Sequence, residues 1–170
     1  TRSLCDWSSD VCSSDLFNQF YIEHKNHLFA YLMRMTGDYY LASDILQESF
    51  TRLLARYRAR VWSKALLFKI ARNALIDEKR KYRDGKRQTF TEDLAAQDNE
   101  HELMIRETYR KVLKALHHLE PMEQEILNLK ISSNLTYRDI AGIVGTSEAN
   151  VKIKIHRARI KLKSILKDEV

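Results

Sequence analysis

Apolar residues recur every three or four positions along most of this chain, which is the periodicity of amphipathic helices. Five stretches show it, and they predict helices over residues 17–36, 41–57, 63–82, 102–118 and 121–131. Glycine is scarce and Pro121 is the single proline, so the chain has few of the tight turns that hairpin-rich sheets need. The pattern therefore predicts an all-α protein.

The C-terminal third carries a more specific pattern. Thr136 and Asp139 form a helix-start signature, because the hydroxyl accepts from a free backbone N–H while the carboxylate faces the positive helix end. Ala141, Gly145 and Val151 then supply a small contact residue, a turn glycine and an apolar residue on a following helix, the spacing of a helix-turn-helix. We expect the second helix to be exposed as a probe for the DNA major groove. A helical hairpin with a solvated basic face is the ordinary alternative.

The net charge of +6 favours a polyanionic partner. The positions of the lysines and arginines along the chain indicate which kind of polyanion this is. Lysine and arginine line the second helix of the helix-turn-helix. A second basic run, residues 79–87, ends the third predicted helix, with Tyr57, Trp62 and Tyr82 interleaved nearby. Aromatic and basic side chains in this arrangement suit stacking on single-stranded bases. Helix capping and solubility are the alternative explanation of the basic run.

Residues 84–101 are polar and lack a strong period, so they predict a linker between two small domains, 17–83 and 102–170. Residues 1–16 differ in composition from the rest, and we expect them to be a non-native leader that hides the true N-terminus. Both cysteines lie in that stretch without further ligands nearby, so no metal site is predicted. Cysteine usage and the lack of a membrane-length apolar run favour a cytoplasmic location.

Five strings on these predicted helices together point to a protein family. They are LFAYLMRMTGD (28–38), DILQESF (44–50), LLFKIARNALIDEKRK (66–81), LEPMEQEILNLK (119–130) and the helix-turn-helix (136–162). In this order, the chain resembles a bacterial RNA polymerase sigma factor of the extracytoplasmic-function (ECF) group, with regions 2 and 4 in its two halves. The resemblance implies a non-enzymatic, cofactor-free protein that binds core RNA polymerase and directs promoter recognition, DNA melting and transcription initiation. It also implies an anti-sigma factor as a partner.

The resemblance further assigns roles to particular side chains. Docking on the clamp of the largest catalytic polymerase subunit falls to Asp44, Gln47 and Glu48. Engagement of the minus-ten promoter element falls to Tyr57, Trp62, Arg72, Asn73, Asp77, Lys79 and Arg80. The minus-thirty-five element would be read by Ser147, Glu148, Asn150, Lys152, Lys154, His156, Arg157 and Arg159. Trp62 lies a full turn before the position, here Leu66, at which many family members carry tryptophan, so stacking on DNA and packing in the core both remain open.

The main alternative function is a free-standing helix-turn-helix transcriptional regulator that binds operator DNA and uses residues 17–82 for dimerisation or sensing. Such a protein needs neither the acid-amide face of the second helix nor a basic aromatic third helix. An RNA-binding or nucleoid protein would explain the charge but not the motif spacing. An enzyme is weaker still, because His24, His27, His101 and the scattered carboxylates form no ligand set and no nucleophile–base pair.

Overall fold

The computed structural model describes residues 7–57, 61–83, 112, 114–116 and 118–168. Apart from a 3₁₀ residue at Val61, every regular element in these residues is an α-helix, which confirms the all-α expectation. The helices, in chain order, are α1 (Trp7–Thr36), α2 (Tyr39–Arg56), α3 (Lys64–Arg83), α4 (Pro121–Ser133), α5 (Tyr137–Val144) and α6 (Glu148–Asp168). The predicted linker 84–101 lies outside the described residues, as does most of the predicted helix 102–118, of which residues 112 and 114–116 are described as helical.

The first helix starts earlier than the sequence predicted. It begins at Trp7 rather than at residue 17, because nothing between those positions is a glycine or proline that would stop propagation of a helix once it has formed. The boundaries of α2, α3 and α4 agree with the prediction to within about two residues. That residues 1–16 form a non-native leader stays a prediction.

The helix ends follow from local chemistry. Gly37 ends α1 with a φ of 68°, and Asp38 caps α2 by accepting the Leu41 N–H at 3.0 Å. Thr136 and Asp139 form the capping box of α5 that the sequence predicted, and Gly145 ends that helix with a φ of 80°. A side-chain cap of this kind stabilises a helix by about 1 kcal/mol.

The two halves of the chain are packed together, which the sequence did not predict. Helix α1 lies against α4, and α3 lies against α5. One buried apolar cluster therefore runs through both halves, with Leu28, Tyr31 and Phe68 on the N-terminal side and Ile126 and Ile140 on the C-terminal side. Periodicity identified each apolar stripe, but it cannot say which other stripe covers it.

Candidate nucleic-acid and polymerase interfaces

The helix-turn-helix forms as its sequence predicted. Val151 and Ile155 are buried on the inner face of α6, and Ala141 is buried on α5. The Gly145 N–H donates to the Ala141 carbonyl oxygen at 2.9 Å, which closes α5 and reverses the chain. Ser147 then starts α6 by accepting the Asn150 N–H at 3.2 Å. The opposite face of α6 is left to solvent, as a DNA-reading helix requires.

Most of the residues predicted to read the minus-thirty-five element lie on that open face or at the start of α6. The side chains exposed to solvent are Ser147, Glu148, Lys152, His156, Arg157 and Arg159. Asn150 is half-buried, and its amide nitrogen donates to the Thr146 hydroxyl at 2.8 Å. The Lys154 side chain is also partly covered, at 19% exposure, and its ammonium lies 3.2 Å from the Glu120 carboxylate.

One residue near α6 was missed by the sequence reasoning. The ring of Tyr137, the first residue of α5, has the ammonium groups of Lys130 and Lys152 at 5.1 and 5.8 Å from its centroid. Cation–π attraction at these distances limits where the Lys152 side chain points. Its position directly after the capping Thr136 was the only sequence signal that could have marked it.

A buried carboxylate ties α4 to α6. Glu123 is only 2% exposed, and Lys161 donates to it at 2.7 Å. This hydrogen bond lowers the pKa of Glu123 against the opposing effect of burial. Lys161 therefore helps to hold the C-terminal half together, beyond any contribution to the basic surface.

The predicted polymerase-docking residues share one face of α2. Asp44 and Gln47 are exposed, and Glu48 is half-exposed with its carboxylate 2.6 Å from Arg52. Together with Glu78 of α3 they line a shallow open groove between the two helices. The structure thus places the acid-amide set in one continuous surface.

Trp62 packs within the protein. Its ring centroid lies 5.8 Å from that of Phe17 and 5.9 Å from that of Phe20, and its Nε1–H donates to the Tyr57 carbonyl oxygen at 3.0 Å. Of the two roles that the sequence left open, this geometry favours packing over stacking on DNA. The Tyr57 ring itself remains exposed.

The basic face of α3 is divided. Asn73, Asp77, Lys79 and Arg80 are exposed, and Arg80 lies 4.0 Å from Asp77. Arg72 instead points toward α4 and is held by Glu125. The residues predicted for the minus-ten element are thus not all brought to one surface.

Two further properties concern only the residues that the structure describes. No group of three or more His, Cys, Asp or Glu side chains there is arranged to hold a metal ion. None of the helices in the described ranges is long and apolar enough to cross a bilayer.

The helix-turn-helix and the aromatic, basic three-helix unit packed on it define a helical DNA-binding protein. Residues 20–84 match the family model described as Sigma-70 region 2, and residues 109–162 match Sigma-70, region 4. The chain is 33% identical over 157 residues to the ECF RNA polymerase sigma factor SigM of Bacillus subtilis (strain 168), covering 87% of this chain and 93% of that protein. The chain belongs to the ECF sigma factors.

Two more similarities agree with this family. The RNA polymerase sigma factor YlaC of Bacillus subtilis (strain 168) is 32% identical over 160 residues, which is 88% of each protein. The fold matches that of the sigma factor RpoE from Bartonella quintana, solved with the anti-sigma factor NepR, with a TM-score of 0.69 and 26% identity. That match covers 89% of this chain and 96% of the other.

Proposed function

We propose that three separate surfaces divide the work of this sigma factor. As a member of the ECF group, the chain directs promoter recognition and transcription initiation by core RNA polymerase. In our proposal the α2 face binds the polymerase, α3 together with Tyr57 and Trp62 engages the minus-ten element, and α6 reads the minus-thirty-five element. These surfaces belong to an N-terminal domain, residues 17–83, and a C-terminal domain, residues 102–170.

The observation that carries the proposal is the exposed acid-amide face of α2 in a protein of net charge +6. Asp44 and Glu48 would repel nucleic acid, so this surface suits a cationic protein partner. Gln47 lies between them and adds donor and acceptor atoms for hydrogen bonds. The basic α6 surface is chemically opposite and suits DNA phosphates.

On α3, the exposed residues supply what capture of unstacked bases needs. The Tyr57 ring offers a stacking surface, Lys79 and Arg80 offer charges for phosphates, and Asn73 offers an amide for base edges. Trp62 acts in this proposal by fixing the Tyr57 backbone, through its hydrogen bond to the Tyr57 carbonyl oxygen, rather than by touching DNA.

On α6, base reading falls to the first turns and phosphate binding to the later ones. The Thr146 contact orients the Asn150 amide, which is suited to adenine, while Lys152 is suited to guanine. His156, Arg157 and Arg159 face outward one to three turns further along and would hold phosphates.

The proposed partners and cellular location follow from the role of a sigma factor. The chemistry of RNA synthesis belongs to the polymerase, so this chain acts without enzymatic activity of its own and in the cytoplasm, where the polymerase is. An anti-sigma factor is proposed as a third partner, supported by the complex of the similar RpoE with NepR. Nothing in the described residues favours a free-standing operator-binding regulator instead.

The test is co-elution of the full chain with purified bacterial core RNA polymerase. Asp44→Ala with Glu48→Ala should weaken binding at least about tenfold, because it removes the two acidic groups of the docking face. The matched control is Asp15→Ala with Glu23→Ala, which removes two exposed carboxylates from α1 and should leave binding unchanged. Equal loss in both double variants, or no binding by the unaltered chain, would contradict the proposed surface.

A further inference from the structure

A partly buried ion pair between Arg72 and Glu125 joins the two halves of the protein. The Arg72 guanidinium on α3 donates to both carboxylate oxygens of Glu125 on α4, at 2.7 Å through Nε and 3.2 Å through Nη2. The two side chains are only 18% and 13% exposed. A bidentate pair with this little solvent is screened weakly by salt and has a defined geometry. It is therefore able to hold α3 against α4 under physiological conditions.

Three neighbouring contacts cross the same boundary. The Lys64 ammonium at the start of α3 donates to the Ser133 carbonyl oxygen at 3.0 Å. The His27 Nδ1 atom lies 2.9 Å from the Ser132 carbonyl oxygen, and the Arg34 guanidinium donates to the Ser132 hydroxyl. The C-terminal end of α4 carries the negative end of its helix dipole, which these cationic or donor groups complement. The boundary is thus a specific polar interface over an apolar core.

In the closed arrangement, in which the two halves are packed together, the proposed binding surfaces are exposed to different extents. Asp44 and Gln47 on α2 stay exposed, as do Lys152 and Arg157 on α6. On α3, by contrast, Arg72 is both a proposed minus-ten contact and a member of the interdomain pair. A guanidinium that binds a carboxylate through two parallel hydrogen bonds cannot at the same time bind a phosphate in that way. In the closed arrangement Glu125 accepts from both the Nε and the Nη2 of Arg72.

We propose that the Arg72–Glu125 pair is an intramolecular latch, in which Glu125 withholds Arg72 from single-stranded promoter DNA until the two halves separate. This inference rests on the proposed function in that α3 engages the minus-ten element, a role for which the family resemblance assigns Arg72. The free protein is then closed and can still present its polymerase-docking face and α6. Single-stranded DNA shifts the population to the open form, because Arg72 is free to bind DNA only in that form.

The test uses the full chain and two physical readouts. Small-angle X-ray scattering reports the radius of gyration, and fluorescence anisotropy reports binding to a labelled 20-nucleotide single strand of mixed sequence. Glu125→Gln removes the carboxylate charge and leaves Arg72 in place. It should enlarge the radius of gyration and tighten single-strand binding by about tenfold, because the competent fraction of molecules rises.

Two further variants keep the result interpretable. Arg72→Gln breaks the same pair from the other side, so it should enlarge the protein without tightening single-strand binding. Asp15→Asn is the matched control, since it also removes one carboxylate charge, from an exposed side chain on α1 that takes no part in the contacts named above. It should change neither the radius of gyration nor single-strand affinity. Circular dichroism confirms that each variant keeps its helix content.

The outcomes separate this inference from the proposed function. Unchanged size and affinity in both Glu125→Gln and Arg72→Gln would overturn the latch, and so would an enlarged Glu125→Gln protein that binds single strands no better. Neither result bears on polymerase docking, which co-elution measures independently. Failure of co-elution would in turn remove the proposed docking face and leave the scattering result standing.

Discussion

Helices α3 and α6 are both basic, but their cations are paired in different ways. On α6, Lys154 and Lys161 bind Glu120 and Glu123, which belong to the same half of the protein. On α3, Arg72 binds Glu125 in the other half. The first kind of pairing strengthens one domain and leaves its outer face open, whereas the second couples two domains and covers part of a proposed DNA surface.

The difference shows that positive charge on a helix does not measure the charge available to DNA. An arginine or lysine contributes to phosphate binding only to the extent that it is not already committed to a carboxylate. On α6 the exposed Arg157 and Arg159 remain available, and on α3 the exposed Lys79 does, whereas Arg80 lies 4.0 Å from the Asp77 carboxylate. If the carboxylate partner lies in the same domain as the cation, breaking the ion pair changes that domain alone. If it lies in the other domain, breaking the pair changes how the two domains are held together.

The largest effect is expected from the available cations of α6. Arg157→Ala with Arg159→Ala should weaken binding to duplex promoter DNA roughly a hundredfold at low salt and reduce the slope of log affinity against log salt by about 1.8. Anisotropy titrations at several salt concentrations measure both quantities. Lys69→Ala with Lys114→Ala removes two exposed charges elsewhere and serves as control. An equal loss in that control would mean that net charge, not the α6 face, governs binding.

The second largest effect is expected from Lys161 of α6, whose ammonium is bound to the Glu123 carboxylate. Lys161→Met leaves the Glu123 carboxylate buried without its hydrogen-bond donor, so we expect a loss of about 1–3 kcal/mol in the free energy of unfolding. Urea unfolding followed by circular dichroism measures it. Lys163→Met, at an exposed position two residues further along the chain, should change stability by less than about 0.5 kcal/mol. Similar stability in the two variants would show that the Glu123 pair contributes nothing.

A smaller effect is expected from pH at the N-terminal half. Burial lowers the pKa of His24, which lies beside Lys64 and His27; Glu23 opposes the shift. The unfolded chain therefore binds a proton at His24 more readily than the folded protein does, and stability should fall as pH drops below about 6.5. His24 can contribute at most about 1.4 kcal/mol per pH unit to this slope.

His24→Gln removes the titrating group and should flatten that part of the stability–pH profile. His156→Gln, on the exposed face of α6, is the matched control and should keep the slope of the unaltered protein. Urea midpoints between pH 5 and 7.5 make the comparison. A profile that keeps its full slope in His24→Gln would assign the pH dependence to other groups.

The features that could be predicted from the sequence also differ between α3 and α6. For the helix-turn-helix it predicted the capping box of α5, the turn at Gly145 and the outward basic face of α6, because these depend on residues close in sequence. For α3 it predicted the helix but placed Arg72 with the exposed DNA-binding residues. The Arg72–Glu125 pair joins positions 53 residues apart, and no local pattern encodes such a contact. The packing of Trp62 against Phe17 could not be predicted from local sequence for the same reason.

The smallest effect tests what supports the interdomain pair. Tyr31 on α1 is fully buried, and its hydroxyl has no hydrogen-bond partner among the described residues. Burial raises the pKa of Tyr31 far above its usual value; the nearby Glu125 raises it further and Arg72 opposes this. Tyr31→Phe removes an unpaired polar atom and keeps the ring, so the free energy of unfolding should change by less than about 0.5 kcal/mol.

Urea unfolding and small-angle scattering of Tyr31→Phe measure that change and the radius of gyration together. Unchanged values in both would mean that the Arg72–Glu125 pair holds the two halves without help from the hydroxyl beside it. A loss above about 1.5 kcal/mol would contradict this, because a cost of that size means that the hydroxyl makes a hydrogen bond in the folded protein. If the protein also expanded, that bond would belong to the interface between α3 and α4, and the coupling of the two halves would extend into α1.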